Sequence, residues 1–285
     1  MVVALWLLAG GAAAGLFGSL LGLGGGVLLV PLLTLGFGLD LRAAVGVSLV
    51  SVIMTSSAAA GVYLERNVAN LRLGMTLELF TAIGALVGGL IAVLIDERLL
   101  AILFAVLLVY VAITMLRARA PAREGVTVRD DIDVGDDPHD TRSAPFDGLD
   151  VQSAALAGLS GDSYTVRHLG RGIVGSTGAG VVSALLGIGG GIIKVPLMHV
   201  GMGVPLRVAT ATSNLMIGIT AAASSIIYLL HGEIDPYLAG PVAIGVFVGA
   251  TLGSRIAHRI PLRYLTLAFV VVLLWTALQM FLKAL

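Results

Sequence analysis

Gly22-Leu23-Gly24-Gly25-Gly26-Val27-Leu28-Leu29-Val30-Pro31 is matched further along the chain by Gly187-Ile188-Gly189-Gly190-Gly191-Ile192-Ile193-Lys194-Val195-Pro196. Each copy lies inside a long apolar run and opens with four glycines in five positions. Glycine inside a helix costs about 1 kcal/mol per residue relative to alanine, so neither copy can hold a regular helix. A break in hydrocarbon also strands backbone N–H groups that lipid cannot satisfy, so it survives only where protein or a cavity surrounds it. The two breaks are therefore expected to face each other and to hold an anion between them.

The surroundings of the motif are those of a membrane protein. The chain has 285 residues, 58% of them hydrophobic and 12% charged, with a mean hydropathy of +1.02. Soluble domains carry about 25% charged residues, so this composition specifies a polytopic protein of the cell membrane. The formal net charge is zero and gives no electrostatic argument for nucleic acid. There is no cysteine, which excludes disulfides, thiolate metal sites and thiol nucleophiles. Residues 1-21 end near Ala12-Ala13-Ala14, as a signal peptide might, but no basic segment precedes them and another membrane segment follows, so they are expected to be retained.

Apolar runs fall at about 2-37, 43-64, 73-95 and 98-116, and again at about 172-203, 208-230, 237-257 and 264-282. About 20 residues make one helical crossing, so most runs read as single crossings. The first run of each set is too long for one crossing and reads as two short helical pieces flanking the break. Between the sets, 118-170 is rich in Asp, Gly, Ser and Arg, with Asp130, Asp131, Asp133, Asp136, Asp137 and Asp140 clustered. Such a stretch buries too little apolar surface to fold alone and reads as a solvated linker. Gly125 to Val134 and Tyr164 to Leu169 alternate in a way that would suit a small hairpin.

A constant offset of 165 residues carries Gly22 to Gly187, Pro31 to Pro196, Arg42 to Arg207, Ser48 to Ser213, Tyr63 to Tyr228, Gly84 to Gly249 and Gly88 to Gly253. The chain is one unit duplicated. If each first run crosses once, the halves run parallel. If each enters and returns at its break, the second half is inverted, and most arginines outside the membrane gather on one face, leaving Arg42, Arg98 and Lys283 on the other. The second distribution is what the positive-inside rule expects. The reading is an all-α integral membrane protein of two homologous, inverted repeats, with helices broken at glycine-rich motifs and about 8-10 membrane segments. Residues 1-117 form the first repeat, 118-170 an acidic cytoplasmic linker, and 171-285 the second repeat.

The residues expected to hold the anion follow from this frame. Gly24, Gly25, Gly26, Gly189, Gly190 and Gly191 would expose amide N–H groups at the starts of short helices, whose positive dipole ends suit an oxyanion. Lys194 lies within the first turn and would add positive charge; a charge at mid-membrane depth costs at least about 2.5 kcal/mol and marks a pathway or a pairing. Its repeat counterpart is Leu29. Ser48, Thr212, Ser213 and Asn214 bring hydroxyls and an amide near a helix start, where capping uses one or two of them. Thr55, Ser56, Ser57 and Thr220 lie farther along and read as interhelical contacts, and the glycines at 84, 88, 249 and 253 as points of close packing. For ion coupling, the ionisable groups left inside apolar runs are Glu78, which reads as an interfacial carboxylate in preference to a proton relay, and His199, which reads as a capping or packing histidine. No Ser/His/Asp order, HExxH spacing, phosphate loop or metal-ligand cluster occurs, so neither an enzyme nor a cofactor is expected.

The doubled glycine motif with its Val-Pro, followed after the second copy by Ala211-Thr212-Ser213-Asn214-Leu215-Met216-Ile217-Gly218, resembles the sulfite exporter TauE/SafE family. The resemblance spans nearly all of the chain except the linker. It implies a permease for sulfite, a sulfonate such as sulfoacetate, thiosulfate or a related small sulfur anion, and leaves both the anion and the direction open. An uncoupled anion channel, and a membrane anchor for an enzyme of sulfur metabolism with the linker as docking surface, are the alternatives. The partners expected are the anion and the lipid bilayer; self-association into a homo-oligomer stays open.

Overall fold

A computed structural model describes residues 2–20, 25–65, 69–117, 159, 165–256 and 262–284. Gly24 and nearly all of the linker, including the hairpin expected from Gly125 to Val134, lie outside the described residues. The described chain is all-α, without a strand among the described residues. In the first repeat, α1 spans Val2–Leu20, α2 Gly26–Pro31, α3 Leu41–Glu65, α4 Leu71–Leu94 and α5 Glu97–Arg117. In the second, α6 spans Leu169–Leu186, α7 Gly191–Pro196, α8 Leu206–Leu230, α9 Pro236–Ile256 and α10 Leu262–Ala284. Six stretches are long and apolar enough to cross a membrane, Val2–Leu20, Leu71–Leu94, Glu97–Leu116, Leu169–Leu186, Val208–Leu230 and Pro236–Gly253. The protein is a multi-pass membrane protein.

The first run of each repeat is a hairpin. Its arms are unequal, where the sequence suggests two short pieces: α1 has 19 residues, whereas α2 has 6 and continues as a π-helical turn, Leu32–Gly36. Pro31 has no N–H to donate and its ring crowds the preceding turn, which is a reason for the helix to loosen there. Pro196 and the π-helical turn Leu197–Gly201 repeat the pattern after α7. A methyl group on Gly25 would fall 3.8 Å from the Gly15 Cα, and one on Gly10 3.1 Å from Leu32, so α2 runs back along α1. Likewise Gly190 lies against Ser183, Gly175 against Leu197 and Gly172 against Met202, so α7 runs back along α6.

Repeat-related helices meet head to tail. In α3 and α8, Gly46 lies against Tyr228 while Ser56 lies against Gly218, so the two are antiparallel. In α5 and α10, Arg98 shares a small cavity with Lys283 while Val109 shares another with Leu274, again antiparallel. A twofold axis along the helices would make such pairs parallel. The arrangement is consistent with inverted repeats.

The tightest contacts join one repeat to the other. Gly84 and Gly88 of α4 lie against the carbonyls of Thr177 and Val181 in α6, and Gly249 and Gly253 of α9 lie against those of Ala12 and Leu16 in α1. A Cβ at any of the four would collide with main chain, which accounts for glycine there by packing, as the sequence suggests. These two contacts fix the hairpins against the opposite repeat, and α3 and α8 run between them.

Candidate functional site

The two breaks touch. A methyl group on Gly26 would lie 2.6 Å from the Gly187 carbonyl oxygen, and the Ser48 hydroxyl donates to that oxygen at 2.7 Å. The second break is a run of left-handed backbone: φ is 68° at Gly187, 73° at Gly189 and 76° at Gly190. L side chains rarely adopt that region, so glycine is required by backbone geometry as well as by space.

The meeting point is filled. Val52 lies between Gly26 and Gly189, and Ile217 fits against Gly189 and Gly191, each within 3 Å of the place a Cβ would occupy. Val52 and Ile217 are repeat counterparts. The expected cradle between the breaks is thus occupied by two apolar side chains. Two apolar cavities lie elsewhere, one of about 320 Å³ between α1, α2 and α10 and another of about 350 Å³ between α5 and α10; neither is lined by a break glycine.

Among the described residues, a charged side chain reaches the second break and none reaches the first. Lys194, 1% exposed, curls back so that its Cε comes within 3.5 Å of a Cβ position on Gly190. The Ser183 Cβ is 3.2 Å from the same position, and the Ser213 Oγ is 3.6 Å from the corresponding position on Gly191. Both hydroxyls are buried and have no hydrogen-bond partner among the described residues. The first-repeat counterparts of Lys194 and Ser183 are Leu29 and Gly18, and that of Ser213 is Ser48, whose hydroxyl is committed to Gly187.

Lys194 has company the sequence does not reveal. Its Nζ donates to Glu78 Oε2 at 3.0 Å and to the Thr220 hydroxyl, which donates in turn to Glu78 Oε1 at 2.6 Å. Glu78 is 3% exposed, so the interfacial carboxylate expected from its place in the run is instead a buried partner of Lys194. A signal did exist. Glu78 and Lys194 are opposite charges in apolar runs whose repeat counterparts, Ala243 and Leu29, are uncharged.

The remaining candidates separate. The Thr212 hydroxyl accepts from the Asn70 backbone N–H at 3.0 Å, tying the start of α8 to that of α4. The Asn214 carbonyl accepts from the Ser56 hydroxyl, which joins α3 to α8. His199 is exposed, and its Nδ1 pairs with the Val204 backbone carbonyl at 2.9 Å. Gly25 packs against Gly15 and Val246. Among the described residues no group of acidic or histidine side chains could hold a metal.

The model of the family described as sulfite exporter TauE/SafE matches residues 7–280. The chain belongs to the sulfite exporter TauE/SafE family. It is 25% identical over 285 residues to the probable membrane transporter protein YunE of Bacillus subtilis (strain 168), covering 95% of this chain and 94% of the relative. It is 27% identical over 251 residues to a probable membrane transporter protein of Xylella fastidiosa (strain 9a5c), covering 87% and 83%. Over a shorter stretch of 102 residues it is 30% identical to sulfite exporter TauE/SafE family protein 6 of Arabidopsis thaliana, covering 36% and 24%. No solved structure matches this chain. Membership makes the protein a membrane transporter, and relatives covering nearly its whole length carry that name.

Proposed function

We propose that this transporter is a permease for a small sulfur-containing anion, such as sulfite, a sulfonate such as sulfoacetate, or thiosulfate. The observation that carries the reading is the group of Lys194, Ser183 and Ser213 around Gly190 and Gly191. An ammonium and two buried hydroxyls without partners among the described residues, beside the left-handed backbone of Gly189 and Gly190, form a donor set suited to an oxyanion. Gly26, Ser48 and Gly187 form the opposing wall, and Thr212 and Asn214 hold α8 in place beside it.

The conformation described is closed, with Val52 and Ile217 filling the space that an anion would need. Transport proceeds by alternating access, in which these side chains part and the second break opens to one face at a time. Because α1 is bound to α9 and α4 to α6 through main-chain contacts, the hairpins move with their partners from the other repeat. The repeats are inverted across the cell membrane, with the linker and most arginines on the cytoplasmic face and the two ends of the chain outside.

Purified protein in vesicles, challenged with sulfite, thiosulfate, sulfoacetate and a plain carboxylate, tests the proposal. Saturable uptake of a sulfur anion, with counterflow when the same anion is loaded inside, supports it. Flux that neither saturates nor shows counterflow would indicate a channel, and no flux would end the reading.

A further inference from the structure

The Lys194–Glu78 pair spans the two repeats, from α7 at the second break to α4 of the first, and Thr220 of α8 closes the ring. Fold symmetry does not call for it, since both counterparts are uncharged. Each Glu78 oxygen has one donor, Oε2 from Lys194 and Oε1 from Thr220. A carboxylate therefore already sits on the ammonium that an incoming oxyanion would use. We propose that Glu78 is an internal stand-in for the transported anion and the proton-binding site of the transporter: an oxyanion displaces it from Lys194, and Glu78 then takes up one proton.

The proposal rests on the reading of the second break as the anion site. Its logic is charge conservation in a buried place. Once Lys194 turns to a monoanion, Glu78 keeps only the Thr220 hydroxyl, and a buried carboxylate without its cation is strongly disfavoured. A proton from the water on the open side restores neutrality. The loaded site then holds Lys194 with the anion and an uncharged Glu78, the same net charge as the empty site. One anion and one proton move together.

Among the described residues the surroundings supply no substitute for either charge. From α4 the nearest other cation, Arg72, is exposed, as is Arg171 at the start of α6. The π-helical turn after α7 brings His199, exposed and bonded to Val204, and α6 brings the uncharged Ser176 and Ser183. From α8 the pair meets Thr220; the Arg207 side chain lies outside the described residues. Among the described residues, Glu78 and Lys194 are each the one charge that acts on the other.

Methanesulfonate suits the test because it is a monoanion that does not titrate between about pH 5 and 8, the range in which an imidazole or a buried carboxyl group does. Equilibrium binding to the purified wild-type chain should tighten about tenfold for each pH unit of acidification over the range in which Glu78 is ionised in the free protein and protonated in the complex. In Glu78→Gln the pH slope should vanish. A wild-type affinity indifferent to pH, or a Glu78→Gln variant with the wild-type slope, overturns the proposal. If Glu78→Gln does not fold, the wild type alone decides: about one proton should be taken up per anion bound, and none would overturn it. Should the wild type bind no sulfur anion at any pH, the anion-site reading itself fails, an outcome distinct from binding without a pH slope.

Discussion

Ser48 and Ser213 hold equivalent places in the two repeats, yet the Ser48 hydroxyl donates to the Gly187 carbonyl at 2.7 Å, while the buried Ser213 hydroxyl has no partner among the described residues. One closes the junction between the repeats and the other faces the second break unspent. Alanine at the two positions should therefore act on different properties. Ser48→Ala leaves a buried carbonyl without its donor and should cost about 1–3 kcal/mol of stability. Ser213→Ala removes a buried hydroxyl without a partner among the described residues, so it should not lower thermal stability in detergent, and it should weaken anion uptake. Equal losses of stability in both would remove Ser213 from the site.

Lys194→Met should be among the most damaging changes, because it strands Glu78 in the interior; removing one member of a buried ion pair costs about 3–5 kcal/mol. Lys194→Met combined with Glu78→Met should recover most of that stability, since a buried pair replaced by apolar groups of similar volume is often tolerated. Transport should stay lost in the double variant. Thermal unfolding paired with vesicle uptake separates the two effects, and transport by the double variant would show that Lys194 does not meet the anion.

The backbone at the second break gives a third expectation. Alanine at Gly189 would have to adopt φ near 73° and meet Ile217, so Gly189→Ala should impair both folding and transport. Gly178, in the middle of α6 with nothing within 4 Å of its Cβ position, is the control. Gly178→Ala should be neutral or raise stability by up to about 1 kcal/mol, read from the same unfolding curves.

Much of this architecture is legible in the sequence, because it is written in residues whose meaning is local. Four glycines before an apolar turn and a proline announce a break, a constant offset announces the duplication, and glycines one turn apart at 84 and 88 announce a helix contact. The packing of the two breaks against each other is legible too, since a break in lipid must find protein. The state of the junction is not. Whether Val52 and Ile217 fill it depends on how closely α3 and α8 approach, and apolar residues at those positions are equally at home facing lipid. The pairing of Lys194 with Glu78 across 116 residues is likewise a product of the tertiary fold. Its trace in the sequence is a pair of unmatched charges, which suggests a partnership without saying who the partners are.

Closure at Val52 and Ile217 can be tested directly because the chain has no cysteine of its own. A single cysteine at Ser213 should resist a membrane-impermeant thiol reagent in the resting protein and become reactive during turnover with a transported anion. In Ile217→Ala, which opens space beside Gly189 and Gly191, the same cysteine should react without substrate. Immediate labelling of the parent would mean that the junction is open at rest.

The interlocked glycine contacts make the two repeats depend on each other. Gly84 and Gly88 find their seat on a helix of the second repeat, and Gly249 and Gly253 on a helix of the first, so each repeat completes the other. A single unit by itself would lack the helix on which its own glycines are seated. With both units in one chain each half is free to differ from the other, and Lys194 stands in one where its counterpart is Leu29.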